Sequence, residues 1–290
     1  MNMTLEAHIP PKDPEVIVKS LTDKDEGALR ALAAFETRAF GDEANTIGQL
    51  KAAISLGDKF FVLWSGDRVV GVGSVRTTSF PDSFNKIKKN LPAESAFVGH
   101  GAVDPDFRGE GLQRILLEKR KEFARDHGKE TVIGTVRPEN GASFRNIVNA
   151  GGRIFAYSPD FLPNSNTPSR FLWEIDMTIP NEVLENIEER DVLAGSVAVE
   201  ACKRGDQKIV LLVQSGEDRD PEAEEAAAQI LSGDYIGTNT QTVFTGTTGV
   251  RFIGVLFRSL SSFPPEVQKR LRERKKVIQD ILLKSENPVS

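Results

Sequence analysis

The residues best suited to chemistry in this sequence lie in one turn, Arg108-Gly109-Glu110-Gly111-Leu112-Gln113. The turn follows an apolar, strand-like run ending at Val103 and opens a helical run containing Ile115 and Leu116. A strand-to-helix turn directs unpaired backbone N–H groups and the positive end of the helix dipole at one point. The sequence therefore predicts an anion site. The two glycines lack Cβ atoms, so that a phosphate could approach the backbone closely, and Arg108 adds a cation.

This turn matches neither of two common phosphate-binding motifs. A nucleotide-triphosphatase loop has the pattern Gly-x-x-x-x-Gly-Lys-Ser/Thr, and a dinucleotide-binding fold has Gly-x-Gly-x-x-Gly after its first strand. Neither pattern fits residues 108–113. The turn alone therefore predicts an anion but does not identify it.

The composition excludes several classes of protein. With 290 residues and 39% hydrophobic residues, the chain is long enough to bury a full core. Its formal net charge of −5 argues against a non-specific nucleic-acid-binding protein, since such proteins carry a basic excess. Cys202 is the one cysteine, which excludes a disulfide framework and a cysteine-based zinc cluster.

The hydrophobic pattern indicates neither a signal sequence nor a membrane partner. Residues 1–19 mix prolines with charged residues, and no run approaches the ~20 apolar residues of a membrane span. We interpret the chain as a cytoplasmic protein.

Periodicity predicts an α/β fold with a mixed sheet flanked by helices on both faces. Predicted strands cover 16–22, 59–64, 69–75, 95–103, 131–136, 153–157 and 171–177, and predicted helices cover 29–40, 47–54, 111–127 and 140–150. In the helix after the turn, residues 119–122 are charged and are predicted to face water.

The C-terminal third predicts a smaller α/β domain. Strands are expected at 209–213 and 250–257, helices at 221–231 and 263–283, and an acidic, helix-like connector at 181–191. Residues 235–249 are rich in Thr and Gly. The division is therefore 1–180 and 181–290. The last helix either packs on its own sheet or forms a homodimer contact.

Residues about 15 to 178 resemble the GNAT superfamily of acyl-CoA-dependent N-acyltransferases. In that family the fourth strand leads into a turn of pattern Gln/Arg-x-x-Gly-x-Gly/Ala, whose places are taken here by Arg108, Gly111 and Gln113. A second family block, an Asn that opens a helix and a Gly eleven residues later, is matched by Asn140 and Gly151. Two blocks in the correct order carry the resemblance.

Three positions depart from the family pattern. Gln113 stands where a small residue ends the turn, and Gly152 replaces the usual aromatic residue. Ile147 stands where many members carry a tyrosine that protonates the leaving thiolate.

The resemblance implies a mixed, mostly antiparallel sheet. It also implies acetyl-CoA as co-substrate and no metal. Its pyrophosphate would lie on the backbone amides from Arg108 to Arg114, and its pantetheine arm would bind backbone near Gly101 to Val103. Asn140 either contacts the cofactor or only caps its helix. The candidate cofactor-binding residues are Gly101, Val103, Arg108, Gly109, Glu110, Gly111, Leu112, Gln113, Arg114, Asn140 and Ser143.

The resemblance also implies direct acetyl transfer to a primary amine, on a small molecule or a peptide, without a covalent enzyme intermediate. Glu94 is the candidate general base, unless it is only an exposed carboxylate at a strand end. Strand alternation places His100 on the same face as Glu94, so that the two could share a cleft. Tyr157 is the candidate acid for the thiolate.

Two alternatives to an enzyme remain open at this point. The first is a non-catalytic acyl-CoA-binding sensor that acts through its C-terminal domain, which the absence of a tyrosine at Ile147 favours. The second is a scaffold that retains only the fold.

Overall fold

The computed structural model of the chain describes residues 16–80, 86–138, 140–161, 169–179, 207–213, 221–244 and 251–283. The strands in these residues are β1 (Val16–Ser20), β2 (Lys59–Ser65), β3 (Arg68–Arg76), β4 (Ser95–Val103), β5 (Thr131–Val136), β6 (Arg153–Ser158), β7 (Arg170–Asp176), β8 (Gln207–Val213), β9 (Tyr235–Phe244) and β10 (Arg251–Ser259). The helices are α1 (Glu26–Phe40), α2 (Ile47–Ser55), α3 (Lys86–Lys89), α4 (Leu112–Asp126), α5 (Gly141–Asn149), α6 (Pro221–Ser232) and α7 (Pro265–Leu283).

All these strands lie in a ten-stranded sheet of order β1-β2-β3-β4-β5-β7-β6-β9-β10-β8. The β4–β5 pair is parallel and the other pairs are antiparallel. Strand β4 and strand β5 begin and end at the residues expected from the sequence. The predicted mixed, mostly antiparallel sheet flanked by helices is therefore confirmed.

The C-terminal strands extend the same sheet. Strand β9 joins β6 through the pair Ile154–Gly237, where a Cβ on Gly237 would come within 2.9 Å of the Ile154 side chain. Strand β9 lies in the Thr- and Gly-rich stretch, where no strand was assigned from the sequence. The division into domains at residue 180 stays a prediction, and the expected connector at 181–191 lies outside the described residues.

Helices cover both faces of the sheet. On one face α4, α5 and α6 pack on a core that includes Val98, Val132 and Phe257. On the other face α1 and α2 pack against β2 and β3, and α7 packs against Phe97 and Phe155. Of the two roles considered for the last helix, packing on its own sheet is the one observed.

Strand β4 contains an irregularity that matters for the site. Val72 pairs with Ala102 and Ser74 with Gly99, so that β4 has one residue more than β3 over this stretch. The extra residue lies next to His100, whose φ of 47° is unusual for a residue other than glycine. A β-bulge of this kind rotates a side chain to the other face of the strand.

The parallel strands β4 and β5 are paired at their N-terminal ends and separate toward their C-terminal ends. Their parallel pairing covers Ser95–Thr131, Ala96–Val132 and Phe97–Ile133. From Val98 onward no further pair joins the two strands, although both are described along their whole length. Backbone groups of β4 beyond the bulge are therefore free to bind something other than β5.

At the opposite end of β4, a buried arginine on α7 ties the helix to the sheet. Arg274 donates from Nε to Glu174 Oε1 at 2.8 Å and from Nη2 to Ser95 Oγ at 2.9 Å. It also forms an ion pair with Glu94. These contacts fix α7 across the start of β4 and the middle of β7.

Candidate functional site

The turn after β4 is held in place by ion pairs. Asp104 accepts a hydrogen bond from the backbone N–H of Asp106 at 3.1 Å, which begins a short 3-10 turn. Arg68 on β3 donates to Asp104 at 2.7 Å and to Asp106 at 2.9 Å. The strand that precedes the turn and the turn itself therefore form one fixed unit.

The turn presents free backbone donors at the start of α4. Gly109 and Gly111 have φ angles of 91° and 75°, in the left-handed region that glycine adopts without strain. Gly111 is the N-cap of α4, and it has no side-chain cap. Among the described residues, no acceptor is bound to the backbone N–H groups of residues 109–113. Together with the helix dipole, these donors form the anion-binding geometry that the sequence predicted.

The predicted cofactor residues of this turn differ in what they can offer. Arg108, Glu110 and Arg114 are exposed, so that their charges lie at the rim of the turn. Leu112 is buried against Leu116 and can contribute only its backbone N–H. On β4, Gly101 is exposed and Val103 is half-buried. The side-chain amide of Gln113 lies against Gly101, 2.9 Å from the point that a Cβ on Gly101 would occupy.

Asn140 and Ser143 lie at the start of α5. The Asn140 side chain accepts a hydrogen bond from the Ser143 backbone N–H at 3.0 Å, which makes Asn140 the N-cap of the helix. Capping is one of the two roles considered for Asn140, and it is the one observed here. The predicted cofactor contacts of both residues stay predictions.

Helix α4 buries a cation that was predicted to face water. Arg120 is 4% exposed, and its guanidinium lies within 3.0 Å of the point that a Cβ on Gly73 would occupy. It donates to the carbonyls of Leu116 and Gly99, at 3.0 Å and 3.4 Å. Burial lowers the pKa of Arg120 to about 10. The sequence prediction was wrong here because Gly73 has no side chain and leaves room for the guanidinium.

The bulge in β4 turns His100 toward α1 instead of α4. The ring lies 5.7 Å from the Phe60 ring and 6.3 Å from the Phe40 ring. Its side chain is 26% exposed, and burial lowers its pKa, while the neighbouring carboxylate of Glu36 acts in the opposite direction. His100 is therefore a neutral imidazole near pH 7.

A buried carboxylate lies beside this histidine. Glu36 on α1 is fully buried, and its Oε2 accepts hydrogen bonds from the Asn45 backbone N–H at 3.0 Å and the Asn45 side-chain amide at 2.8 Å. Its Oε1 has no hydrogen-bond partner and lies 3.6 Å from His100 Nδ1. The same Asn45 amide lies 3.1 Å from His100 Nδ1.

Sequence reasoning missed Glu36 as a functional residue. One signal was present, because Glu36 falls on the apolar stripe of α1 with Leu29, Leu32 and Phe40, where a carboxylate is unusual. The stripe does not show what the carboxylate faces.

Glu94 does not share a cleft with His100. Glu94 lies at the start of β4 beside α7, where Arg274 binds its carboxylate. Burial acts to raise the pKa of Glu94, but a backbone hydrogen bond and the Arg274 guanidinium together hold it below its usual value. The predicted alternation placed the two side chains in one cleft, but Glu94 lies before the first residue of β4 and binds α7, whereas the bulge near the other end of β4 turns His100 toward α1. The structure brings His100 together with Glu36 and Asn45 instead.

Tyr157 packs on the core beneath α4, α5 and α6, on the face of the sheet opposite to α1. Its ring packs 4.9 Å from the Phe171 ring, and its hydroxyl donates a hydrogen bond to Glu224 on α6. Ile147 of α5 is 5% exposed. The hydroxyl of Tyr157 is thus engaged with the C-terminal part of the chain, and its catalytic role stays a prediction.

Neither a metal site nor a membrane-spanning helix is found in the described part of the chain. These residues contain no group of three or more His, Cys, Asp or Glu side chains placed to hold a metal ion. None of the described helices is long and apolar enough to cross a membrane.

Several solved structures are similar to part of the chain. The ribosomal-protein-S18-alanine N-acetyltransferase from Escherichia coli is 18% identical, with a TM-score of 0.45, over 59% of this chain and 100% of its own. The yncA acetyltransferase from Salmonella typhimurium, solved with acetyl-CoA, is 18% identical, with a TM-score of 0.42, over 59% of this chain and 98% of its own. The IAA acetyltransferase from Bacillus cereus is 16% identical, with a TM-score of 0.43, over 56% and 99%.

The family comparison concerns the part of the chain that carries the turn and the histidine. A search of curated protein sequences gave no match. The family model described as "Acetyltransferase (GNAT) family" matches residues 27–145. This span includes α1, the bulge in β4, the turn after β4 and α4. Residues 27–145 of the chain are therefore similar to the acetyltransferase (GNAT) family.

Proposed function

We propose that the protein is an acetyl-CoA-dependent N-acetyltransferase that moves an acetyl group directly to a primary amine. The observation that carries the proposal is the turn 108–114. Its free N–H groups lie at the end of β4 where β4 and β5 have separated. A diphosphate and an extended, amide-bearing arm need these two features side by side.

The residues of the turn fit the charge and shape of coenzyme A. The backbone N–H groups of 109–113 and the cation of Arg108 would hold the pyrophosphate. The free backbone of β4 between Gly101 and Val103 would bind the pantetheine amides. When bound, acetyl-CoA supplies the activated acetyl thioester.

His100 is the residue to which we assign the role of general base. It lies on the strand that would border the thioester, and it is neutral near pH 7. Its ring faces Phe60 of β2 and Glu36 of α1, so that the acceptor amine would bind on that side of the sheet. Glu94 was the other candidate. Its carboxylate is bonded to Arg274, which makes it a weaker base.

A sensor without catalysis is the second candidate, and one observation favours it. The hydroxyl of Tyr157, the predicted thiolate acid, is bonded to Glu224 on α6, and Ile147 offers no hydroxyl in its place. The bond from Tyr157 to α6 would also connect an acyl-CoA site to the C-terminal part of the chain. In the enzyme, the thiolate would take its proton from water or from protonated His100.

Two measurements on the full chain decide between these functions. Thiol release from acetyl-CoA is followed with a broad panel of primary amines, and the melting temperature is followed during titration with coenzyme A. Turnover with any amine supports the enzyme. Stabilisation by coenzyme A without turnover supports the sensor, and the absence of both contradicts the two proposals and leaves a scaffold.

We expect Arg108→Ala to raise the Kd for coenzyme A by about tenfold, because a guanidinium hydrogen bond to a phosphate is lost. The matched control is Arg125→Ala, which removes an exposed arginine from the last turn of α4, far from the turn that carries Arg108. Calorimetric titration of both variants measures the change. Equal Kd values for the two variants would contradict the placement of the pyrophosphate at the turn.

A further inference from the structure

The three side chains of Glu36, Asn45 and His100 form a hydrogen-bonded cluster that a histidine base alone does not explain. A buried carboxylate without a cation beside it is costly, and an oxygen without a partner adds to that cost. Oε1 of Glu36 is such an oxygen, and it lies 3.6 Å from Nδ1 of His100. Structural packing gives no reason to retain it.

Asn45 fixes which nitrogen of His100 carries the proton in this structure. The Asn45 amide nitrogen is 2.8 Å from a Glu36 carboxylate oxygen, so that it is the donor end of the amide that faces the cluster. The same nitrogen is 3.1 Å from His100 Nδ1. Nδ1 therefore accepts a hydrogen bond from Asn45, and the proton of neutral His100 lies on Nε2.

That tautomer cannot take a proton at Nε2. To act as a base there, His100 must carry a hydrogen on Nδ1, and this hydrogen needs an acceptor. The free oxygen of Glu36 lies next to Nδ1, while the amide of Asn45 can remain on the other oxygen of Glu36. A small rotation of the ring from 3.6 Å to hydrogen-bond distance completes the pair.

We propose that Glu36 is a positioning residue that switches His100 from the Asn45-bound tautomer to a base-competent form, by accepting the Nδ1 hydrogen. This inference rests on the proposed function and deepens it. The amine nitrogen forms a bond to the acetyl carbon, and the carbon–sulfur bond breaks. The amine proton passes to Nε2, Glu36 stabilises the resulting imidazolium through Nδ1–H, and the thiolate regains a proton from His100 or water.

The charged groups around His100 determine whether its pKa rises or falls in each variant. Burial lowers the pKa of His100 most; Glu36 from α1 raises it, Lys88 from α3 lowers it, and Asp58 before β2 raises it. Removing the charge of Glu36 therefore lowers the pKa of His100 further. Removing the Asn45 amide has the opposite effect, because Nδ1 then turns to Glu36, which keeps its bond to the Asn45 backbone.

The test is Glu36→Gln in the full chain, read in two independent ways. With an amine found in the panel, we expect kcat to fall on the order of tenfold or more and the acid limb of the pH profile to move about one unit lower, at unchanged KM for acetyl-CoA. By NMR of ring-15N-labelled histidine, the His100 pKa falls in Glu36→Gln and rises in Asn45→Ala. The His100 signal is identified by its loss in His100→Gln.

The matched control is Glu26→Gln, which removes an exposed carboxylate from the first turn of the same helix. An unchanged His100 pKa in Glu36→Gln overturns the role of Glu36, even if acetyl transfer is found. A shifted pKa in a protein without turnover supports the pair and contradicts the proposed function instead. If Glu36→Gln does not fold, Asn45→Ala decides by the sign of its shift.

Discussion

His100→Gln is expected to lower kcat by about 10²–10⁴-fold, the range that a positioned general base contributes. Glutamine keeps a polar side chain of similar size but cannot accept a proton. In the wild-type protein, the acid limb of the pH–rate profile should have its midpoint below 6.5, the ordinary pKa of histidine, because burial lowers the pKa of His100. In the variant this limb should disappear, while the KM for acetyl-CoA stays within about twofold, because the turn after β4 is untouched.

The matched control is His127→Gln. His127 lies at the C-terminal end of α4, is exposed, and bonds the carbonyl of Phe123 through Nδ1. We expect its turnover and pH profile to equal those of the wild type. If His100→Gln retained more than about a tenth of the wild-type kcat, His100 would not be the base, since loss of a general base costs more than this.

The elements of the first half of the fold could be predicted because their signals are local. Strand β4 is a continuous apolar run bounded by a polar segment and an Asp-Pro turn, and α4 follows two glycines with a regular apolar stripe. Strand β9 was missed because Thr and Gly favour loops when they occur together. Here Gly237 is required by the close approach of Ile154, and the threonines are ordinary strand residues.

The candidate site could be predicted only in part, because it depends on contacts between distant residues. The anion-binding turn is local and was found. Alternation along β4 gave the wrong face for His100, since a bulge adds one residue and a period of two cannot detect it. Glu36 lies 64 residues from His100 in the sequence, and no pattern in α1 alone shows that the two side chains meet.

Arg120 and Arg274 show a related limit of sequence patterns. Both are charged residues within amphipathic helices, where a pattern predicts exposure. Each is buried because the sheet provides a specific place for it: glycine on β3 makes room for Arg120, and Glu174 on β7 pairs with Arg274. Whether a cation of a helix is buried is decided by the residues that it meets across the sheet.

Arg274→Met is expected to lower the free energy of unfolding by about 3–5 kcal/mol, the cost of leaving one partner of a buried ion pair without the other. Glu174 is 1% exposed and would lose the cation that pairs with it. Urea denaturation, followed by tryptophan fluorescence, measures the loss. The control is Arg272→Met, two residues earlier on α7, where the exposed pair with Asp234 contributes at most about 1 kcal/mol.

The double variant Arg274→Met/Glu174→Gln and the pH dependence identify the cause of that loss. Burial already raises the pKa of Glu174, and removal of Arg274 raises it further. A carboxyl whose pKa is higher in the folded than in the unfolded state destabilises the fold above its unfolded pKa. The difference between Arg274→Met and wild type should therefore shrink as the pH falls from 7 toward about 4. Glu174→Gln should recover a large part of the loss at pH 7. A loss that is independent of pH and unrelieved by Glu174→Gln would mean that Arg274 acts through its packing on β4 and β5 and not through its charge.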